Sequence, residues 1–208
     1  MSAAERAPSA AEGRLGNVAA ALLLGGASSR MGADKAQLEL DGEPVATRLA
    51  RRLAALCEDV LLVGGAPPAS APGRRVPDPA GPRSALRGLV GALEAARAER
   101  VLVLAPDLIG VTPELLLALV AAPEADVVAP RTAAGPEPLC ALYRREPVLA
   151  EARRRLGAGE LALHALLGAA SVFWLEGEDL RALDRSGRAL ANVNTPEDLA
   201  AFRRAAAP

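Results

Sequence analysis

"NVAAALLLGGASSRMGADK", residues 17–35, sets an unbroken apolar run against two glycines and then against Arg30, Gly32, Asp34 and Lys35. The run Asn17–Leu24 has the length and the Val, Ala and Leu content of a buried strand, and the glycines behind it force the chain to turn. Backbone N–H groups exposed in a glycine loop can wrap a phosphate, because no side chain stands in the way and positive φ angles are open. The loop is not a Walker A sequence: its lysine lies three residues beyond Gly32 rather than beside it, and Gly-x-Gly-x-x-Gly spacing is also missing. For a bare Gly-Gly, a tight strand-to-helix turn with no ligand is the plainer reading.

Placement of rare residues shifts that balance. Of the 24 Lys and Arg residues only Lys35 is a lysine, Met31 is the only methionine after the first residue, and Asn192 and Asn194 sit together in "NVNT". An ammonium on a flexible stem follows a phosphate as a mobile point charge, which a planar guanidinium imitates poorly. Rarity is not sufficient by itself, since Gln37, His164 and Trp174 are also single occurrences and fall in no motif. His164, inside a helical stretch, reads as structural.

Outward from the loop, strands and helices alternate. "PVATRLARRLAALCED" from Pro44 spaces its apolar residues by three and four, the pattern of an amphipathic helix with proline near its start. "VLLVGG" from Val60 reads as a strand, "RRVPDP" as a short extended segment followed by Asp78, and "SALRGLVGALEAARAE" as a helix. "VLVLAPD" is an apolar strand closing on Asp107, and Thr112, Pro113 and Glu114 open the next helix. "ADVVAP", "LCALYR" and "SVFWL" are further strand candidates; "EPVLAEARRRL", "ELALHALL" and "TPEDLAAFRRA" are helical.

Such alternation predicts a mostly parallel sheet covered on both faces, in which ligands bind at the carboxyl ends of strands. The glycine loop, Asp78 and Asp107 all fall at strand ends, where they can converge on one crevice. A carboxylate ending an apolar strand is costly without a partner. For Asp107 that partner is either a Mg²⁺ shared with substrate phosphates or the N-terminal turn of the following helix.

At 208 residues the chain suits one core, expected over residues 17–208, with residues 1–16 as a disordered tail lacking the apolar stretch of a signal peptide. Hydrophobic residues make up 51% and aromatics 2%, so Ala, Leu and Val must do the packing. A net charge of −1 argues against a nucleic-acid partner and for a small-molecule substrate. Cys57 and Cys140 lie far apart without metal-type spacing and read as buried thiols in a reducing compartment. Apolar runs break before membrane-spanning length, which places the protein in the cytoplasm.

The spacing Leu-x-Gly-Gly-x-Ser-x-Arg-Met-Gly-x-Asp-Lys from Leu23 to Lys35 resembles the signature of the molybdenum cofactor guanylyltransferase family. "VPDP" with Asp78, "LVLAPD" with Asp107, "EPLCALYRR" from Glu137 and "NVNTPEDL" from Asn192 follow in that family's order, covering most of residues 18–203. The resemblance implies a Rossmann-like three-layer α/β/α sandwich of nucleotidyltransferase type. It also implies that Leu23, Leu24 and Gly25 line a guanine nucleotide, that Gly26 and Arg30 lie beside its phosphates, and that Lys35 contacts the triphosphate. Asp78 would help to hold the nucleotide, Asp107 would bind nucleotide and Mg²⁺, and Asn192 and Asn194 would face the pterin substrate. Four positions depart from the family pattern: Leu24 replaces the usual alanine, "LIGV" follows Asp107 where a proline and an aromatic are common, "SALRG" stands for Gly-Pro-Leu-x-Gly, and Val63 occupies a site that can be asparagine.

The implied reaction is attack by the terminal phosphate of a molybdopterin-type cofactor on the α-phosphorus of GTP, with pyrophosphate leaving. Its substrates would be GTP and that cofactor, its further partners molybdoenzymes or their chaperones. The nucleophile is already an anion, so alignment and charge neutralisation by Arg30, Lys35, Asp107 and Mg²⁺ suffice. Two alternatives stand beside it: a nucleotidyltransferase using CTP or a sugar or alcohol phosphate, and a non-catalytic module that binds GTP or the cofactor. Gly25-Gly26 favours the guanylyl branch, because cytidylyl relatives usually carry Ala-Gly there.

Overall fold

The computed structural model describes residues 15–25 and 38–205. Gly26, Arg30 and Lys35 lie outside the described residues, as do residues 1–14 of the expected tail. Leu15, assigned to that tail from sequence, donates its N–H to the Leu56 carbonyl at 2.7 Å and makes a parallel bridge with Cys57.

The opening apolar run forms β1 (Val18–Leu23), buried at every residue. Val18, Ala20 and Leu22 enter one hydrophobic cluster and Ala19, Ala21 and Leu23 the other. Both faces of the strand are therefore covered, which is why its sequence is continuously apolar instead of alternating. A hairpin follows, β2 (Glu39–Leu40) and β3 (Glu43–Pro44), turning on Asp41 and Gly42 with both φ angles positive. That two-residue geometry is what an Asp-Gly pair favours.

Helix α1 (Val45–Leu56) buries Val45, Ala46, Leu49, Ala50, Leu53 and Leu56 along one stripe. Then come β4 (Val60–Val63), β5 (Arg74–Val76) and α2 (Ala85–Ala95), whose N-cap Ser84 accepts from the Arg87 N–H. β6 (Arg100–Leu104) precedes α3 (Pro113–Ala121), where Thr112 caps by accepting from the Leu115 N–H at 3.2 Å and Pro113 fills the first turn. The second half contains β7 (Val127–Thr132), β8 (Gly135–Pro136), β9 (Cys140–Arg144) and α4 (Arg145–Ala158), which stops at left-handed Gly159. It ends with α5 (Leu163–Leu167), β10 (Val172–Leu175), α6 (Gly177–Leu183) and α7 (Pro196–Arg204), the last opened by a Thr195–Asp198 capping box.

Along the sheet the strands run β10-β7-β9-β6-β1-β4-β5, with β8 paired to β7. β1, β4, β5 and β6 are mutually parallel, as are β7 and β10, while β9 runs antiparallel to both β6 and β7. The connection from Thr132 to Cys140 is too short for the crossover that parallel pairing needs, so the chain must reverse there. Residues of α1, α3, α6 and α7 pack on one face, and residues of α2, α4 and α5 on the other. The result is the three-layer α/β/α architecture expected from the sequence.

Further local differences lie in the second half. α5 covers only Leu163–Leu167 of the longer helical stretch expected, and β8 and α6 were not foreseen. Cys57 and Cys140 are free and buried. Burial, with Asp59 nearby, pushes the Cys57 thiol up to about 12, and burial raises the Cys140 thiol in the same way.

Candidate active site

Because β1, β4, β5 and β6 are parallel, their carboxyl ends share one edge of the sheet, and the glycine and aspartate positions collect there. Gly25 follows β1, Gly64 follows β4, Asp78 follows β5 and Asp107 follows β6. The Leu24 and Gly25 N–H groups donate to the Val63 carbonyl at 2.8 and 3.2 Å, and the Gly64 N–H donates to the Val76 carbonyl at 2.8 Å. These bonds carry the sheet ladder past the strand ends and hold the turns in register.

Asp78 sits in a recess walled by glycine. A Cβ built on Gly25 would stand 2.6 Å from Asp78 Oδ2, and one on Gly64, whose φ is +66°, would stand 2.7 Å from either oxygen. A side chain at either position would displace the Asp78 carboxylate, and at Gly64 the left-handed backbone also favours glycine. From the other side Arg87 Nη2 donates to Asp78 Oδ2 at 2.8 Å while its Nη1 donates to the Gly81 carbonyl at 2.8 Å. Both side chains are mostly buried, 14% and 19% exposed, so the pair is well fixed. Leu23 and Leu24 bury their side chains on opposite faces of the sheet, which leaves their main chain as what they offer a ligand.

On the other side of β1, Asp107 belongs to a second group. The Asp107 carbonyl accepts from the Val193 N–H at 2.9 Å, which brings Asn192 and Asn194 to the end of β6. The Ala105 N–H donates to the Leu139 carbonyl at 2.8 Å, which brings in Glu137. Glu137 Oε1 accepts from the Leu139 N–H at 3.1 Å, and the buried Tyr143 hydroxyl fixes the same turn by donating to the Pro138 carbonyl at 2.7 Å. Burial raises the Glu137 carboxyl above the usual carboxylate range and the Asp107 charge adds to this. The Leu139 N–H, a hydrogen bond with the Asn192 side chain and the nearby His164 work the other way.

Glu137 was singled out by no chemical signal in the sequence; it stands between two prolines ahead of an ordinary strand. His164 is exposed on α5, close enough to act electrostatically on Glu137. Asn192 and Asn194 are both exposed; the Asn192 side chain hydrogen-bonds Glu137, and the Asn194 N–H donates to Asp198 Oδ2 at 2.9 Å, in the cap of α7. Asp78 and Asp107 thus lie on either side of β1 at the same carboxyl edge of the sheet.

A family model described as a MobA-like NTP transferase domain matches residues 20–171, from β1 through β9 to the residue before β10. The chain belongs to this family. It is therefore a nucleotidyltransferase, and its β1–Gly25 turn lies within the matched span. Two proteins named "Probable molybdenum cofactor guanylyltransferase" are similar to it. The one from Chloroflexus aggregans is 36% identical over 86% of this chain and 89% of its own, and the one from Synechococcus elongatus is 34% identical over 90% and 98%. Among solved structures, molybdopterin-guanine dinucleotide biosynthesis protein A from Archaeoglobus fulgidus superposes with a TM-score of 0.74 at 24% identity, covering 90% of this chain and 96% of that one. That likeness carries the fold. Among the described residues of this MobA-like NTP transferase, no helix is long and apolar enough to cross a membrane.

Proposed function

We propose that this nucleotidyltransferase transfers GMP from GTP to the terminal phosphate of a molybdopterin-type cofactor, forming the guanine dinucleotide and releasing pyrophosphate. The observation that carries the reading is similarity to guanylyltransferases at 36% identity across most of both chains. Glycine at position 25 leaves room for the Asp78 carboxylate that Arg87 holds in place.

In this reading the main chain of Leu23, Leu24 and Gly25 with Asp78 receives the nucleotide. Gly26, Arg30 and Lys35 meet its phosphates, and Asn192 and Asn194 face the pterin. The end of β6 fits a hard divalent cation: Asp107 with Glu137 beside it offers carboxylate oxygens, and substrate phosphates complete the set in the manner usual for Mg²⁺. When bound, Mg²⁺ supplies positive charge against the triphosphate and the departing pyrophosphate. The chain's own residues align two mutually repelling phosphates so that an acceptor oxygen approaches the α-phosphorus opposite the leaving group. The cytoplasm is the compartment proposed, and a molybdoenzyme or its chaperone the recipient of the product.

The test is transfer of α-labelled GTP, beside CTP and ATP, onto purified molybdopterin-type cofactor with Mg²⁺. Label entering the pterin from GTP alone is the expected result. Label from CTP instead moves the chain to the cytidylyl branch, and nucleotide binding without transfer reduces it to a binding module. In the same assay Gly25→Ala displaces Asp78 from its recess, and we expect KM for GTP to rise about tenfold while kcat changes less, the pattern of lost substrate binding.

A further inference from the structure

"DLIGV", residues 107–111, contains a glycine and no proline, so nothing in its own sequence stiffens the backbone that carries Asp107. Leu108, Ile109 and Val111 are nevertheless buried, and carbonyl groups drawn inside with them need donors. The Leu108 carbonyl accepts from the Val111 N–H at 3.2 Å within the segment, and for Ile109 and Val111 the donor comes from α1. Arg52 Nη1 donates to the Ile109 carbonyl at 3.1 Å and to the Val111 carbonyl at 2.6 Å, the two carbonyls on either side of Gly110. A single charged side chain therefore spans the most flexible residue of the segment. Burial and the neighbouring Arg48 disfavour the Arg52 charge, with Glu114 opposing them, so the guanidinium is held here against a desolvation cost.

The opposite side of the segment is closed as well. A Cβ on Gly110 would lie 2.2 Å from the Arg188 carbonyl oxygen, so the two backbones are in direct contact. Arg188 is itself anchored, donating to the Phe202 and Ala205 carbonyls with its guanidinium 4.1 Å from the Phe202 ring centre. Between Arg52 on one side and Arg188 on the other, the backbone after Asp107 has one path.

We propose that Arg52 is a positioning residue: by bridging the Ile109 and Val111 carbonyls across Gly110, it holds Asp107 in the orientation that receives the divalent cation and the triphosphate. The assignment rests on the role of Asp107 proposed above and adds a residue that touches neither substrate. A group that only stabilises the fold changes the amount of active protein, whereas a positioning group changes how tightly the metal–nucleotide complex is bound.

The test compares wild type with Arg52→Met and Arg52→Lys, using Mn²⁺·GTP as the probe and the enhancement of water proton relaxation as the reading, without pterin. In parallel, transfer is measured against Mg²⁺ concentration. For Arg52→Met we expect half-saturation in both titrations to rise about tenfold, with transfer at saturating Mg²⁺ returning to within about threefold of wild type, since a misaimed carboxylate weakens the complex without removing it. Arg52→Lys keeps a cation and should stay within about threefold in both. Should Arg52→Met fail to fold by circular dichroism, Arg52→Gln, which keeps a donor, replaces it under the same criteria. Unchanged half-saturation in a folded Met or Gln variant overturns the proposal. A wild type that enhances relaxation but transfers nothing sinks the guanylyl-transfer reading alone, and the relaxation titrations still decide Arg52. Absence of enhancement by the wild type overturns both.

Discussion

Asp107→Ala loses at least about a hundredfold in guanylyl transfer, the size expected when one main electrostatic group of a phosphoryl-transfer site is removed. The substitution spares the main chain, so the bond from the Val193 N–H to the Asp107 carbonyl persists and the variant folds. Asp107→Asn separates charge from shape and should fall as far as the alanine variant, because a neutral amide is a poor partner for a hard cation. Removing the Asp107 charge also takes away one cause of the raised Glu137 pKa, so that carboxyl moves down in either variant. Pyrophosphate release under saturating GTP and Mg²⁺ checks the rate, and thermal unfolding checks the fold. A folded alanine variant with near-normal turnover would remove Asp107 from the mechanism.

Lys35→Ala is expected to cost a similar factor, at least about a hundredfold, by leaving charge on the triphosphate without its mobile cation. Lys35→Arg is the sharper comparison. In a chain that otherwise meets every need for a basic side chain with arginine, full activity of Lys35→Arg would mean that any cation serves. A loss of tenfold or more is expected, since a planar fork cannot follow the phosphates as a compact ammonium does. Single-turnover transfer of labelled GTP measures both variants.

What was legible in the sequence was whatever depends on neighbours along the chain. The run before Gly25 reads as a doubly covered strand, and β1 is buried at every position. Thr112 and Thr195 read as helix caps, and both accept the expected backbone N–H. Asp41-Gly42 was equally readable as a hairpin turn and was missed, because the strands it joins are only two residues each and leave no alternating pattern to notice.

The remainder required contacts between distant segments. Periodicity identifies a strand but not its direction, so the reversed β9 between β6 and β7 appeared only once the sheet was assembled. Glu137 resembles any charged loop residue until the Ala105 to Leu139 bond sets it beside Asp107. Arg52 and Arg87 look like two more arginines on polar helix faces. Their meaning lies in the Ile109 and Val111 carbonyls for one and the Asp78 carboxylate for the other.

Burial period, capping and backbone freedom act over a few residues, so the alternation of strands and helices, the caps and the glycine turn after β1 are written locally in the chain. Strand order, the partner of each buried charge and the grouping of Asp107 with Glu137 and Asn192 arise from the packed sheet. Those depend on which surfaces meet when both faces of the sheet are covered, and a buried polar group takes whatever partner the packing brings within hydrogen-bond reach.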